Sequence, residues 1–124
     1  MKSKKILITG AEGFIATNLI FKLSNIKEFN LIGIDSSVAK SSNKNFTKDI
    51  IRIEKIDISS SENLLNLIDG ADLIVHLAAK GNVIESISNP LENFNSNAYS
   101  TLVLLETMRK ANVQNIVFAS TGEL

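Results

Sequence analysis

The chain has 124 residues, room for one domain with a core but not for two. Its 13 basic and 13 acidic side chains balance, leaving no electrostatic footprint for nucleic acid or an anionic membrane. Absent cysteine rules out disulfides, iron–sulfur clusters and thiolate zinc sites, one histidine argues against a metal centre or a Ser-His-Asp triad, and no apolar run approaches the ~20 residues of a membrane span.

Strands and helices alternate along the chain. Residues 4–9 form the first predicted strand, and residues 13–24 the first helix, with Ile15, Leu19 and Leu23 four residues apart on one face. Residues 30–35 form a second strand, almost wholly apolar until it ends in Asp35. Residues 36–48, rich in Ser, Asn and Lys, read as a surface loop rather than as a lysine-based binding segment. The third strand, 51–57, alternates in character and suits a sheet edge. Ser59 and Glu62 have capping-box spacing for a short helix through Leu64, Leu65 and Ile68, which Gly70 ends.

Residues 71–77 form a fourth strand, apolar enough for mid-sheet. Ala78 and Ala79 follow, then a loop to Asn89, the predicted cap, and Pro90 at the first helical position. A long helix then runs from Pro90 to Ala111, with Leu91, Phe94, Ala98, Leu102 and Leu105 at three- and four-residue steps. Residues 115–120 are the fifth strand. Strands joined by helical crossovers run parallel, with right-handed connections. The expected fold is therefore α/β, a Rossmann-type doubly wound parallel sheet of strand order 3-2-1-4-5. No secretory leader pattern follows Met1, so the cytoplasm is the expected compartment.

The turn after the first strand carries the clearest chemistry. Gly10 permits a tight turn, Gly13 removes a side chain where a pyrophosphate must approach, and Ala16 lets the helix lie close on the sheet. The amides of Phe14 and Ile15 open the helix, where its dipole adds about half a positive charge. This pattern reads as the pyrophosphate cradle of a dinucleotide; the bland alternative is a ligand-free strand–helix turn.

Ligands of such sheets lie beyond the carboxyl ends of the strands. Asp35 lies 25 residues after Gly10 and suits the acid that accepts both adenosine ribose hydroxyls. A 2′-phosphate would meet a like charge there, at most about 4 kcal/mol at ~4 Å and an effective dielectric near 20. Even ~1.5–2 kcal/mol favours NAD over NADP more than tenfold, and Ser36 and Ser37 supply no compensating cation. The alternative is that Asp35 only ends a strand. Asp57 and Ile58 either flank adenine or belong to a helix cap, and Ala78 and Ala79 leave room for the cofactor's second half. His76, within an apolar strand, reads as a satisfied core histidine rather than a catalytic base.

Thr9-Gly10-Ala11-Glu12-Gly13-Phe14-Ile15-Ala16 resembles the TGxxGxxG motif of extended short-chain dehydrogenases/reductases, within them the NAD-dependent epimerase/dehydratase branch that includes UDP-glucose 4-epimerase. The resemblance continues through Asp35, Asp57-Ile58, His76 to Ala79, Glu85-Ser86, Asn89 to Glu92, Asn97 to Thr101 and Val117 to Thr121. It implies that Phe14 and Ile15 contact pyrophosphate, Asp35 the ribose, Asp57 and Ile58 adenine, and Leu77, Ala78 and Ala79 the nicotinamide half. It further implies that Asn97 supports the active-site architecture and that Thr121 is the catalytic Ser/Thr. Ala16 replaces a glycine, and Ser100 stands where the family has Gly, which puts local packing in question. Lys80 lies close to a lysine of some sugar epimerases, one position off, and is given no role.

The family's Tyr-x-x-x-Lys is expected further along than Leu124; Tyr99 has Val103, not lysine, four residues later. Residues 1–124 are thus read as the incomplete NAD-binding domain of a longer nucleotide-sugar enzyme, inactive alone and without the substrate domain. The alternative is a non-catalytic NAD(P)-binding sensor or scaffold. The open sheet edge, or the apolar face of the helix from Pro90 to Ala111, is expected to make the chain a homo-oligomer.

Overall fold

Alternate side chains of each central strand serve two different cores, and this decides the layering. In the computed structural model, which describes residues 2–37, 51–60 and 62–120, five strands form one parallel sheet. They are β1 (Lys4–Thr9), β2 (Phe29–Asp35), β3 (Arg52–Lys55), β4 (Leu73–His76) and β5 (Ile116–Phe118), in the order β3-β2-β1-β4-β5. The central register pairs Ile8 with Gly33 on one side and Val75 on the other. The predicted strand order is the observed one, with β3 at an edge and β4 inside the sheet.

Ile6, Ile8, Leu31 and Val75 face one layer, where they enclose Ala11, Ala16 and Ile20 of the turn and of α1 (Phe14–Leu23). Leu7, Ile32, Ile34 and Ile74, one residue out of phase, face the other. There they meet Leu64 and Ile68 of α2 (Leu64–Ile68), and Leu104 and Met108 of α5 (Ser100–Lys110). Burying one such side chain fully is worth about 1.5–3 kcal/mol, so both layers hold the sheet. No helix among the described residues is long and apolar enough to cross a membrane.

Several expectations are corrected. On α1 the buried positions are Ala16 and Ile20, with Leu19 and Leu23 partly buried beside them; Ile15 is exposed. The proposed Ser59–Glu62 capping box does not form. Ser59 sits in a 3-10 turn (Ile58–Ser60), its amide and hydroxyl both donating to Asp57 Oδ1, and Asn63 is the N-cap of α2. The nearer acid captures Ser59 before the capping-box geometry can develop.

The segment between β4 and Pro90, expected as a loop, contains α3 (Val83–Ser88). Its cap is Asn82, whose Oδ1 accepts from the amides of Ile84 at 3.0 Å and Glu85 at 3.3 Å. Asn89 makes no side-chain cap; its amide closes α3 onto Glu85 O, while Pro90 takes its predicted place. The long helix is not one α-helix. α4 (Pro90–Phe94) passes through a π turn (Asn95–Tyr99) before α5 begins. Its predicted core stripe is mostly outward: Leu91 is 85% and Leu102 62% exposed, and Leu104, Met108 and Ser100 are buried instead. The polar loop expected at 36–48 lies outside the described residues except for Ser36 and Ser37.

Candidate binding cleft

The carboxyl ends of β1, β2 and β4 open into a cleft of about 380 Å³. Gly10 and Gly13 line it, with Asp35 at the end of β2, Asp57 and Ile58 after β3, and Leu77, Ala78 and Ala79 after β4. Eight of the residues singled out from the sequence thus meet at one site.

Gly10 adopts φ +66° and makes the turn, Gly13 N donating back to Gly10 O at 2.9 Å. A β-carbon at Gly10 would stand 2.8 Å from Ala78 N and 2.9 Å from Leu77 C, so this glycine is needed as much by the segment that follows β4 as by the turn. At Gly13 a β-carbon would meet only Gly10 O, at 3.1 Å, and otherwise open space. Gly13 is the N-cap of α1, and the first bond across its opening turn runs from Thr17 N to Gly13 O. The amides of Phe14 and Ile15 therefore begin the helix without a partner in the preceding turn. Neither residue is among those that line the cleft, and their side chains point to solvent, Phe14 85% and Ile15 63% exposed.

Asp35 is already engaged. Its Oδ2 accepts from Glu12 N at 3.0 Å, and its Oδ1 from Ser37 N at 3.0 Å and Ser37 Oγ at 3.3 Å. The carboxylate thereby ties the glycine turn to the end of β2. Asp57, holding the 3-10 turn, shows the cap role that the sequence left open, while still lining the cleft beside Ile58.

Asn97 is not a lining residue. It grips the backbone of one: Oδ1 accepts from Lys80 N at 2.7 Å and Nδ2 donates to Lys80 O at 2.9 Å. The Lys80 ammonium pairs with Glu92, whose hydrogen bond holds its pKa above the usual lysine value. Ser100, buried, donates to Ser96 O at 2.5 Å, which answers the packing question raised by a side chain at that position. Thr121 lies outside the described residues.

Sequence reasoning missed Ser36, Ser59, Asn95 and Ser96 as lining residues. The last two come from the π turn, whose backbone has no signature in a single sequence. It also missed how β1, β4 and α5 are tied together. His76 is 2% exposed, with Nδ1 2.6 Å from Thr9 Oγ1 and Nε2 2.9 Å from Thr101 Oγ1. This is the satisfied core histidine the sequence suggested, and burial lowers its pKa below the ordinary imidazole value.

Comparison with known proteins agrees with this geometry. The family model described as the NAD dependent epimerase/dehydratase family matches residues 6–124. A Bacillus subtilis protein named an uncharacterized UDP-glucose epimerase is 36% identical over 97% of this chain and 40% of its own length. Among solved structures, UDP-glucose 4-epimerase from Bifidobacterium longum, in complex with NAD+ and UDP, superposes with a TM-score of 0.84 at 28% identity, over 96% of this chain and 37% of that one. The enzyme from Stenotrophomonas maltophila, with bound NAD and formylated UDP-arabinopyranose, gives 0.84 at 26% identity, over 96% and 37%. The chain thus spans about two fifths of the length of these relatives.

Proposed function

We propose, since this chain belongs to the NAD dependent epimerase/dehydratase family, that it is the NAD-binding portion of a cytoplasmic enzyme that epimerises or dehydrates a nucleotide sugar. The observation that carries this reading is the turn at Gly13: a glycine that opens α1 and lines the cleft together with Asp35, where a β-carbon would meet only Gly10 O. A pyrophosphate suits such a turn because the helix-opening amides supply donors and the helix dipole supplies positive potential. The lining residues fit the rest of the dinucleotide. Asp35 suits a ribose diol, and the described lining residues include one cation, Lys80, already paired with Glu92, so nothing among them attracts a 2′-phosphate.

When bound, NAD supplies a hydride acceptor at its nicotinamide ring. The chain's own residues bind and orient. Phe14 and Ile15 offer amides to the pyrophosphate, Asp57 and Ile58 border the adenine, and Leu77, Ala78 and Ala79 form the wall for the nicotinamide half. Asn97 holds that wall through Lys80. Thr121 orients the reacting sugar hydroxyl. UDP-sugar names among the relatives support a nucleotide sugar as substrate.

Calorimetric titration with NAD tests the reading. The wild-type chain is expected to bind, and Gly13→Val to lose at least about tenfold in affinity, the scale of one blocked charge-assisted contact. Its melting temperature should stay within a few degrees, about what a tolerated surface change costs. Absence of both binding heat and a thermal shift with NAD in the wild type would overturn the proposal.

We further propose self-association, through the outward apolar face of α4 and α5 (Leu91, Phe94, Leu102 and Leu105) or through the β5 edge, where Val117 and Phe118 are both exposed. In size-exclusion chromatography the chain is expected to elute above its 13.5 kDa mass. A monomer-sized peak at high concentration would count against it.

A further inference from the structure

The hydrogen bonds around His76 have a direction that can be worked out atom by atom. Thr9 Oγ1 accepts from two amides, Leu77 N and Ala78 N, each at 3.0 Å. Amides only donate, so both lone pairs of that oxygen are used and its own proton goes to the ring. His76 Nδ1, 2.6 Å away, is therefore the acceptor. In a neutral ring the hydrogen then sits on Nε2 and is donated to Thr101 Oγ1 at 2.9 Å. Thr101 in turn donates to Asn97 O at 2.5 Å. Every bond points the same way, from the segment after β4, through the imidazole, into the π turn. An imidazolium would set two protons against each other at Nδ1.

At its far end the chain of bonds returns to where it began. The Asn97 side chain takes Lys80 N and gives to Lys80 O. Residues 77–80 are thus held at one end by Thr9 and at the other by Asn97, and all four line the cleft. The ring of Phe118 lies beside that of His76, with 5.6 Å between their centroids. None of the binding roles assigned above uses His76.

We infer that His76 is a positioning residue: a neutral imidazole carrying its hydrogen on Nε2, which joins Thr9 and Asn97 into one clamp and so sets the cleft wall at residues 77–80. Its burial, which disfavours the charged ring, works in the same direction. The inference rests on the cofactor reading only for its affinity readout.

The chain holds a single histidine, so nitrogen-15 labelling of histidine gives one ring to read. In the full chain at neutral pH, a pyrrole-like Nε2 and a pyridine-like Nδ1 are expected. An Nδ1–H ring or an imidazolium would overturn the inference. Thr101→Val, which keeps the shape of the side chain and removes the hydroxyl, is expected to speed amide exchange at Lys80 about tenfold, the scale of one lost buried hydrogen bond. The amide of Ile8 should be unchanged, and Thr101→Ser should restore protection at Lys80.

Unaltered Lys80 exchange in Thr101→Val would also overturn the inference, as would equal acceleration at Ile8, because the ring would then be structural only. In calorimetry NAD affinity should fall about tenfold with Thr101→Val and recover with Thr101→Ser. Should the wild type take up no NAD while the ring and exchange results hold, the clamp stands and the cofactor reading falls.

Discussion

Gly10→Ala is expected to lower the melting temperature by about 10 °C and to abolish measurable NAD binding. Two costs add. A left-handed conformation at φ +66° costs a residue with a β-carbon about 1–2 kcal/mol. Forcing that carbon to within 2.8 Å of Ala78 N and 2.9 Å of Leu77 C adds the overpacking penalty, about 1–3 kcal/mol. For a domain of this size each kcal/mol shifts the midpoint by roughly 3–5 °C.

Gly70→Ala is the control. Its φ of +74° carries the same conformational cost, but no atom lies within 4 Å of the new carbon. A loss of about 1 kcal/mol is expected there. Thermal denaturation followed by circular dichroism reads both. Equal losses at the two glycines would show that the contact with residues 77 and 78 is not what makes Gly10 necessary.

Asp35→Ala is expected to raise the Kd for NAD by about ten- to a hundredfold, as loss of charge-assisted hydrogen bonds worth about 1.5–3 kcal/mol requires. Affinity for NADP should change far less, because removing the carboxylate also removes its repulsion of a 2′-phosphate. The preference between the two dinucleotides should therefore narrow to within a few-fold. The substitution also removes the carboxylate that accepts from Glu12 N and Ser37 N, so a modest fall in melting temperature accompanies it. Asp35→Asn, which keeps a carbonyl acceptor without the charge, should recover part of the affinity for NAD and none of the discrimination. Calorimetry with both dinucleotides decides this, and an unchanged preference in Asp35→Ala would remove Asp35 from the ribose site.

What could be read from the sequence was fixed by local backbone requirements or by topology. Gly10, Gly13 and Asp35 each answer to one strand end, and parallel crossovers leave few ways to order five strands. What escaped depended on partners far apart in the chain. Thr9 and His76 are 67 residues apart, and His76 and Thr101 are 25 apart. Helix α3 escaped for the opposite reason. Asn82 holds it locally while Val83, Ile84 and Ile87 all face outward, so it has no buried stripe to betray it. The misassigned stripe has a third cause. Spacing by threes and fours assumes about 3.6 residues per turn, and the π turn breaks that count between Phe94 and Ser100.

That wider turn resembles a spliced-in residue that an otherwise regular spiral has absorbed. Excising one position between 95 and 99 would let the backbone relax into an uninterrupted α-helix, a gain in local regularity. Because the wider turn already takes up that residue, the flanking helices would keep nearly their present directions, and the local widening that brings Asn95 and Ser96 to the cleft would be lost. Smoothing the defect would thus dismantle one rim of the cleft.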